Sequence, residues 1–125
     1  MIFNPAVYFE IPVTDMERAI AFYRAVFGFA FTRTVVDHYE MALFPFGESH
    51  PGISGALSKG DVYRPTNDGV ILYLRTADIN ETLRLVLANG CRSLLAITSV
   101  DAWGHVAEFE DSEGNRIGLF QARSD

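Results

Sequence analysis

The chain has 125 residues, an apolar fraction of 49% and a net charge of −6 at pH 7. This length suits one domain with a sizeable core, and the negative charge argues against nucleic-acid binding, which needs a basic patch. The single cysteine, Cys91, excludes an internal disulfide and fits a reducing compartment. The opening MIFNPAVYFE lacks the features of a signal peptide, and no apolar run is long enough to cross a bilayer. We therefore expect a soluble cytoplasmic protein that binds neither nucleic acid nor membranes.

The first half of the chain predicts one strand, one helix and three further strands. AVYFEIPV is a short apolar run, and Thr14 or Asp15 after it can accept hydrogen bonds from the first N–H groups of a helix. Gly28 can end that helix, because glycine adopts the left-handed conformation at little cost. The three strands that follow are predicted in FAFTRTVV, HYEMALFPF and ISGAL.

The second half repeats this order after the polar, turn-rich segment KGDVYRPTND. GVILYLRTAD predicts a strand, Asp78 can cap a helix that runs through Asn89, and Gly90 can end it. The last three strands are predicted in CRSLLAITSV, GHVAEFED and NRIGLFQ.

The two halves align with an offset of 63 residues, which places Val13-Thr14-Asp15 on Thr76-Ala77-Asp78. This repeat predicts an α+β fold in which two paired βαβββ modules form a curved mixed sheet around a cleft, with the helices on its outer face. The single domain of residues 1–125 would contain module 1 in about 1–58, a linker in about 59–68 and module 2 in about 69–125.

Two stretches, FEIPVTDMERAIAFYRAVFGF and FEDSEGNRIGLFQ, resemble the opening and the close of the glyoxalase, bleomycin-resistance and extradiol-dioxygenase superfamily, also called vicinal oxygen chelate proteins. MALFPFG and SGALSKG fit the same pattern, so the resemblance covers nearly the whole chain. It implies paired modules, often in a homodimer, and a concave site. In many members four side chains hold a divalent metal, which the oxygens of the substrate chelate.

The resemblance places those four ligand positions at Tyr8, Met41 or Ala42, Ile71 and Gly118. None of these residues is a good ligand for zinc, nickel, iron or manganese. We therefore predict no cofactor and no metal at these positions. A relocated site could use other His or Glu residues on the predicted strands, namely Glu10, Glu40, His105 and Glu108. His105 and Glu108 differ by three, however, so they point to opposite faces of a regular strand.

Strand alternation predicts which side chains face the cleft, because residues two apart share a face. Alternation places Tyr8, Glu10, Tyr73, Arg75 and Phe120 in the cleft. Trp103 in DAWGH could lie on its rim, and His105 at a strand start could line it. These seven residues are the predicted ligand-binding residues. Glu10 could pair with Arg75 or another cation, or, if it is desolvated, it could act as a general base with Tyr8 or Tyr73 assisting.

Four functions stay open at this point. The protein could bind a small organic molecule in a metal-free cleft and so sequester a toxic compound, or it could be a metal-independent lyase or isomerase that uses Glu10 as the base. It could also be a metal-dependent glyoxalase or dioxygenase with a relocated site. A protein that contacts a partner and has only a vestigial cleft is a further possibility.

Overall fold

The structure is a computed structural model that describes residues 4–124 of the chain. Within that range, α1 spans Met16–Phe27 and α2 spans Ile79–Ala88. The strands are β1 (Phe9–Pro12), β2 (Thr32–Val36), β3 (Tyr39–Leu43), β4 (Gly55–Lys59), β5 (Leu72–Arg75), β6 (Ser93–Ser99), β7 (Gly104–Glu110) and β8 (Arg116–Ala122). The predicted modules begin at residue 1 and end at residue 125, and both of these ends lie outside the described residues.

The eight strands form two four-stranded sheets with the same internal order, β1-β4-β3-β2 and β5-β8-β7-β6. In each sheet an edge strand, β1 or β5, runs parallel to its neighbour, β4 or β8. The other neighbouring strands are antiparallel. The predicted α+β fold of two βαβββ modules is therefore confirmed. Neither helix in the described part of the chain has the length and hydropathy that crossing a bilayer requires.

Both helices begin where the sequence predicts and α1 also ends there, whereas α2 ends at Ala88, one residue before the predicted Asn89. The Asp15 side chain accepts a hydrogen bond from the N–H of Arg18 at 3.0 Å, and Asp78 does the same for Glu81 at 3.1 Å. Gly28 follows α1 with a φ of 75°, a left-handed conformation that favours glycine. The helices of the two modules thus begin with the same aspartate cap.

Phenylalanine fills the space between the sheets and the helices. Phe27 stacks on Phe29 with ring centroids 5.0 Å apart, and Phe44 meets Phe31 edge-to-face at 4.9 Å. The buried cluster draws residues from both modules, including Phe109 of β7. Most of the aromatic content is therefore core, and the aromatic side chains on the opposite side of the sheets include tyrosines.

The turn between β7 and β8 connects module 2 to the start of α1. The enclosed carboxylate of Glu113 accepts hydrogen bonds from the N–H groups of Thr14 and Asp15 at 2.9 Å and from Arg18 Nε at 2.7 Å. The hydroxyls of Thr14 and Ser112 also donate to it, each at 3.0 Å. Burial alone would raise the pKa of Glu113, but these hydrogen bonds outweigh burial and lower the pKa to about 2.

Asn115 and Asp111 complete this connection. The Asn115 side chain donates to the carbonyl oxygen of Pro12 at 2.7 Å and accepts from the N–H of Thr66 at 3.1 Å. The buried Asp111 carboxylate accepts from the Tyr23 hydroxyl at 2.7 Å, which adds a contact from the middle of α1. The polar side chains of this turn therefore bond module 2 to β1, to α1 and to the segment that connects the modules.

Candidate functional site

The face of each sheet away from the helices, called the concave face below, carries the candidate functional residues. Side chains alternate along each strand, so neighbouring rows across a sheet face opposite ways. One row of the first sheet is buried on the helix side and contains Ile11, Leu57 and Ala42. The next row faces the concave side and contains Glu10, Ala56 and Leu43.

Two tyrosine hydroxyls hold the Glu10 carboxylate. Tyr8 donates to Oε2 at 3.0 Å, and Tyr63 donates to Oε1 at 2.8 Å. Tyr63 belongs to the segment that connects the modules, and its ring meets that of Tyr39 edge-to-face with centroids 5.3 Å apart. The connecting segment therefore supplies one side of this site.

The surroundings of Glu10 differ from both interpretations of the sequence. Glu10 is exposed, so the chain does not desolvate it as the base hypothesis requires. Among residues 4–124, it forms no ion pair with Arg75 or any other cation. Its partners in the described chain are phenols.

Both phenols stay protonated well above neutral pH. Burial, the hydrogen bond to Glu10 and the negative charge of that carboxylate raise the pKa of Tyr8 to about 12. Burial and the bond to Glu10 also raise the pKa of Tyr63. At physiological pH the two hydroxyls are therefore neutral hydrogen-bond donors that position the carboxylate.

In the second sheet the corresponding concave row contains Tyr73, Gly118 and Glu108. The Tyr73 ring lies directly on Gly118, since a Cβ built there would come within 2.3 Å of the ring. This close approach lets the Tyr73 hydroxyl reach across β8 and donate to Glu108 Oε2 at 2.7 Å. That hydrogen bond raises the pKa of Tyr73, and burial adds to the effect.

Glu108 is buried, with 4% of its surface exposed, and it pairs with Arg116. Arg116 Nε donates to Glu108 Oε1 at 2.6 Å, and Nη2 contacts the same oxygen. Burial alone would raise the pKa of Glu108, but the bonds from Tyr73 and Arg116 outweigh it and lower the pKa. Glu108 is therefore held as a carboxylate.

The remaining predicted site residues divide between the two faces. Arg75 and Phe120 are neighbours across β5 and β8 and share the concave face with Val106. His105 pairs with Gln121, whose side chain accepts a hydrogen bond from the first N–H of α2 at 2.7 Å, so this row faces the helices. The structure therefore does not bring His105 together with the concave-face residues.

Trp103 lies in the short 3₁₀ turn Asp101–Trp103 before β7 and is 77% exposed. Glu108 lies five positions further along the chain, which corresponds to roughly 16 Å of extended strand. Trp103 thus lies before the first residue of β7, away from Glu108.

Comparison with known proteins identifies the family. Residues 6–119 match the family model described as the Glyoxalase/Bleomycin resistance protein/Dioxygenase superfamily. The chain belongs to this superfamily. A glyoxylase-like domain-containing protein from Didymella fabae is 33% identical over 113 residues, which cover 85% of this chain and 84% of the relative.

Solved structures of the superfamily share the fold at low sequence identity. TnmS3, an antibiotic binding protein from Streptomyces sp. CB03234, has a TM-score of 0.69 at 24% identity, with 98% of this chain and 99% of that chain covered. An E144Q mutant of glyoxalase I from Zea mays has a TM-score of 0.72 at 20% identity. The similarity covers 95% of this chain but 45% of the maize chain, so this protein spans about half the length of that enzyme.

The donor set at the superfamily's metal positions does not fit a divalent metal. In the second sheet Gly118 of β8 pairs with Tyr73 of β5. The residue of the first sheet that is equivalent to Tyr73 is Glu10, and its partner is Ala56 of β4. The module symmetry therefore places Ala56, rather than the expected Met41 or Ala42, at the position equivalent to Gly118. Alanine, like glycine and isoleucine, has no side-chain atom that can bind a metal.

The relocated metal site is not assembled either. Glu40 shares the helix-side face with Ala42 and contacts Arg33, which also binds Glu17 of α1. Within residues 4–124, no group of three or more His, Cys, Asp or Glu side chains is placed to hold a metal ion. Glu10 and Glu108 on the concave face are each engaged by hydroxyl or guanidinium donors instead.

Proposed function

We propose that this protein binds a small organic molecule on the concave face around Glu10 and sequesters it without a metal. The observation that carries the proposal is the hydrogen-bonded arrangement of Glu10 between Tyr8 and Tyr63. The carboxylate is exposed to a ligand, yet two hydroxyls already fix its orientation. A few positioned polar groups among aromatic rings are typical of small-molecule sites, because they orient a ligand at low entropic cost.

Sequestration is favoured over catalysis by the state of the candidate acids and bases. Tyr73 donates to Glu108, so it is a poor proton donor to a substrate, and its raised pKa weakens it further. Glu108 is held by an ion pair and has a lowered pKa, so it is a weak base. A related fold is that of TnmS3, which is described as an antibiotic binding protein, and this agrees with a binding role.

The enzymatic alternative, a metal-independent lyase or isomerase with Glu10 as the base, rests on one feature. Glu10 is the concave-face carboxylate that has no cationic partner among the described residues. A substrate that covers Glu10 would desolvate it and strengthen it as a base.

A ligand screen separates these functions. We expect thermal-shift and NMR screening of small aromatic compounds to find binders that are recovered chemically unchanged. Glu10→Gln keeps the side-chain shape, so it should retain the binding of uncharged ligands. Turnover of a bound compound by the native chain that Glu10→Gln abolishes would establish the enzymatic alternative instead.

The absence of a metal is tested by elemental analysis of protein purified without chelators. We expect less than one divalent ion per ten chains, because the superfamily positions carry poor ligands. One zinc, nickel, iron or manganese ion per chain that EDTA removes together with ligand binding would contradict the metal-free proposal.

The proposal includes a homodimer and a cytoplasmic location. Tyr8 and Tyr73 are 51% and 43% exposed on the concave face, so a second copy could cover the site, as the family resemblance implies. Light scattering after size exclusion should give about twice the 13.9 kDa chain mass. The cytoplasmic location rests on the single free cysteine, Cys91, which suits a reducing compartment.

A filled concave face that binds no compound in the screen would favour the partner-contact interpretation.

A further inference from the structure

A groove of about 270 Å³ lies at the seam between the two sheets, where β1 faces the first part of β5 and the start of β8. Its size is near the lower limit of small-molecule pockets, so it suits a fragment-sized group. The apolar part of its lining includes Phe9, Ile11, Pro12, Val70, Leu72 and Ile117. Glu10 is part of the same lining, so the groove runs along the strand that carries the tyrosine-held carboxylate.

The charges around the groove do not balance. Glu10 and Asp68 both line it, and neither forms an ion pair within residues 4–124. Arg116 is the cation in the lining, but its guanidinium is already paired with the buried Glu108. The groove therefore has a net negative character, and it favours a positively charged group over a neutral or negative one.

Glu10 also has acceptor capacity to spare. A carboxylate offers about four lone-pair positions, and the two tyrosines use one on each oxygen. An ammonium group has three donors and could bridge the remaining positions. The tyrosines hold the carboxylate in place beforehand, so a ligand would not have to order it.

We propose that this groove binds the protonated amine of a small amphipathic molecule, with the ammonium on Glu10 and the apolar body against Phe9, Pro12 and Leu72. The inference rests on the proposed binding function and names its ligand class. Asp68, which also lines the groove, adds attraction for the ammonium group. A ligand with a carboxylate would be repelled by both Glu10 and Asp68.

The test uses three probes of similar shape and different charge: phenethylamine, 2-phenylethanol and phenylacetate. Each is titrated into ¹⁵N-labelled protein, and the amide shifts of the groove residues report binding. We expect phenethylamine to bind the groove about tenfold more tightly than 2-phenylethanol, and phenylacetate to leave the groove amides unchanged.

Two variants and a matched control assign the effect to the groove. Glu10→Gln should weaken phenethylamine binding about five- to tenfold and 2-phenylethanol binding by a clearly smaller factor. Asp68→Asn should weaken amine binding less than Glu10→Gln does. Glu48→Gln is the control, because Glu48 is exposed and absent from the groove lining, yet its loss changes the net charge equally, from −6 to −5. It should leave all three affinities unchanged.

Each outcome bears on the inference. Equal affinity for the amine and the alcohol, or equal effects of Glu10→Gln and Glu48→Gln, would overturn the ligand class while a binding function at the concave face still stood. A lack of groove shifts with every probe would overturn the groove as the site. The proposed function itself fails only if the broader compound screen also finds no binder on the concave face.

Discussion

Replacing Glu113 with glutamine should destabilise the protein without touching the candidate site. Glu113 Oε1 and Oε2 are surrounded by donors from the start of α1, including the N–H groups of Thr14 and Asp15 and the guanidinium of Arg18. Glutamine keeps one oxygen, but its NH₂ group must then face at least one of these donors. Arg18 is also left without its charged partner.

The magnitude follows from the pKa of Glu113, which is lowered from 4.5 to about 2. A pKa difference of about 2.5 corresponds to about 3 kcal/mol in favour of the charged form in the folded chain, at about 1.4 kcal/mol for each pKa unit. Arg18 is half-exposed and solvent screens its charge, so we expect a loss of about 2 to 3 kcal/mol of unfolding free energy.

The assay is urea unfolding followed by far-ultraviolet circular dichroism for the native chain and the variant between pH 7 and pH 2. The contribution of a carboxylate with a lowered pKa is present above about pH 4.5 and is lost as the pH falls towards 2. The stability gap between the two proteins should therefore be full at pH 7 and close over that acid range. A difference in unfolding free energy below about 0.5 kcal/mol at pH 7, or a difference that does not change with pH, would refute the reasoning.

A matched control exists at the start of α2. Glu81 also pairs with an arginine in the first turns of a helix, but it is half-exposed and its partner Arg84 lies three residues along the same helix. Glu81→Gln should change stability far less than Glu113→Gln, since exposed pairs within one helix contribute little. Equal effects would show that the connection between the modules has no special importance.

Two further predictions concern the tyrosines. Gly118→Ala should displace the Tyr73 ring, because the new Cβ would lie 2.3 Å from it, and so break the bond to Glu108. The ring is partly exposed and can move, so we expect a modest loss of about 1 to 2 kcal/mol of unfolding free energy, measured by urea unfolding. ¹³C NMR should show a raised pKa of Glu108, and an unchanged Glu108 titration would contradict this. All five tyrosine hydroxyls donate to carboxylates, and the pKa of each is raised. Absorbance at about 295 nm should therefore show every native tyrosine titrating above the ordinary value of about 10. Stability should fall as the pH rises beyond that value, because the unfolded chain ionises first. A native phenol with the ordinary pKa would refute this.

Local signals were sufficient to predict the fold. Asp15 and Asp78 cap the helices, and Gly28 ends the first one, as short-range rules require. Strand alternation also predicted the faces of Glu10 and Tyr73, because it depends on residues two apart.

The contacts that define the candidate site depend on distant parts of the chain. Tyr63 is 53 residues from Glu10, and it reaches the carboxylate because the connecting segment folds back over the first sheet. Tyr73 meets Glu108 through the register of three strands, which sequence alternation does not provide. Counting along the chain led to Met41 or Ala42, whereas pairing across the sheet leads to Ala56.

The repeat places unlike groups in equivalent positions of the two modules. An offset of 63 residues maps Glu10, the exposed acid of β1, onto Tyr73, the phenol of β5. The two modules therefore share their strand order, but the side chains at these equivalent positions differ in charge across the seam. A molecule long enough to touch both strands would find an anion at one end and a neutral hydroxyl ring at the other. Such a surface distinguishes the head of a ligand from its tail, so even an internally symmetric ligand would have chemically inequivalent ends once bound.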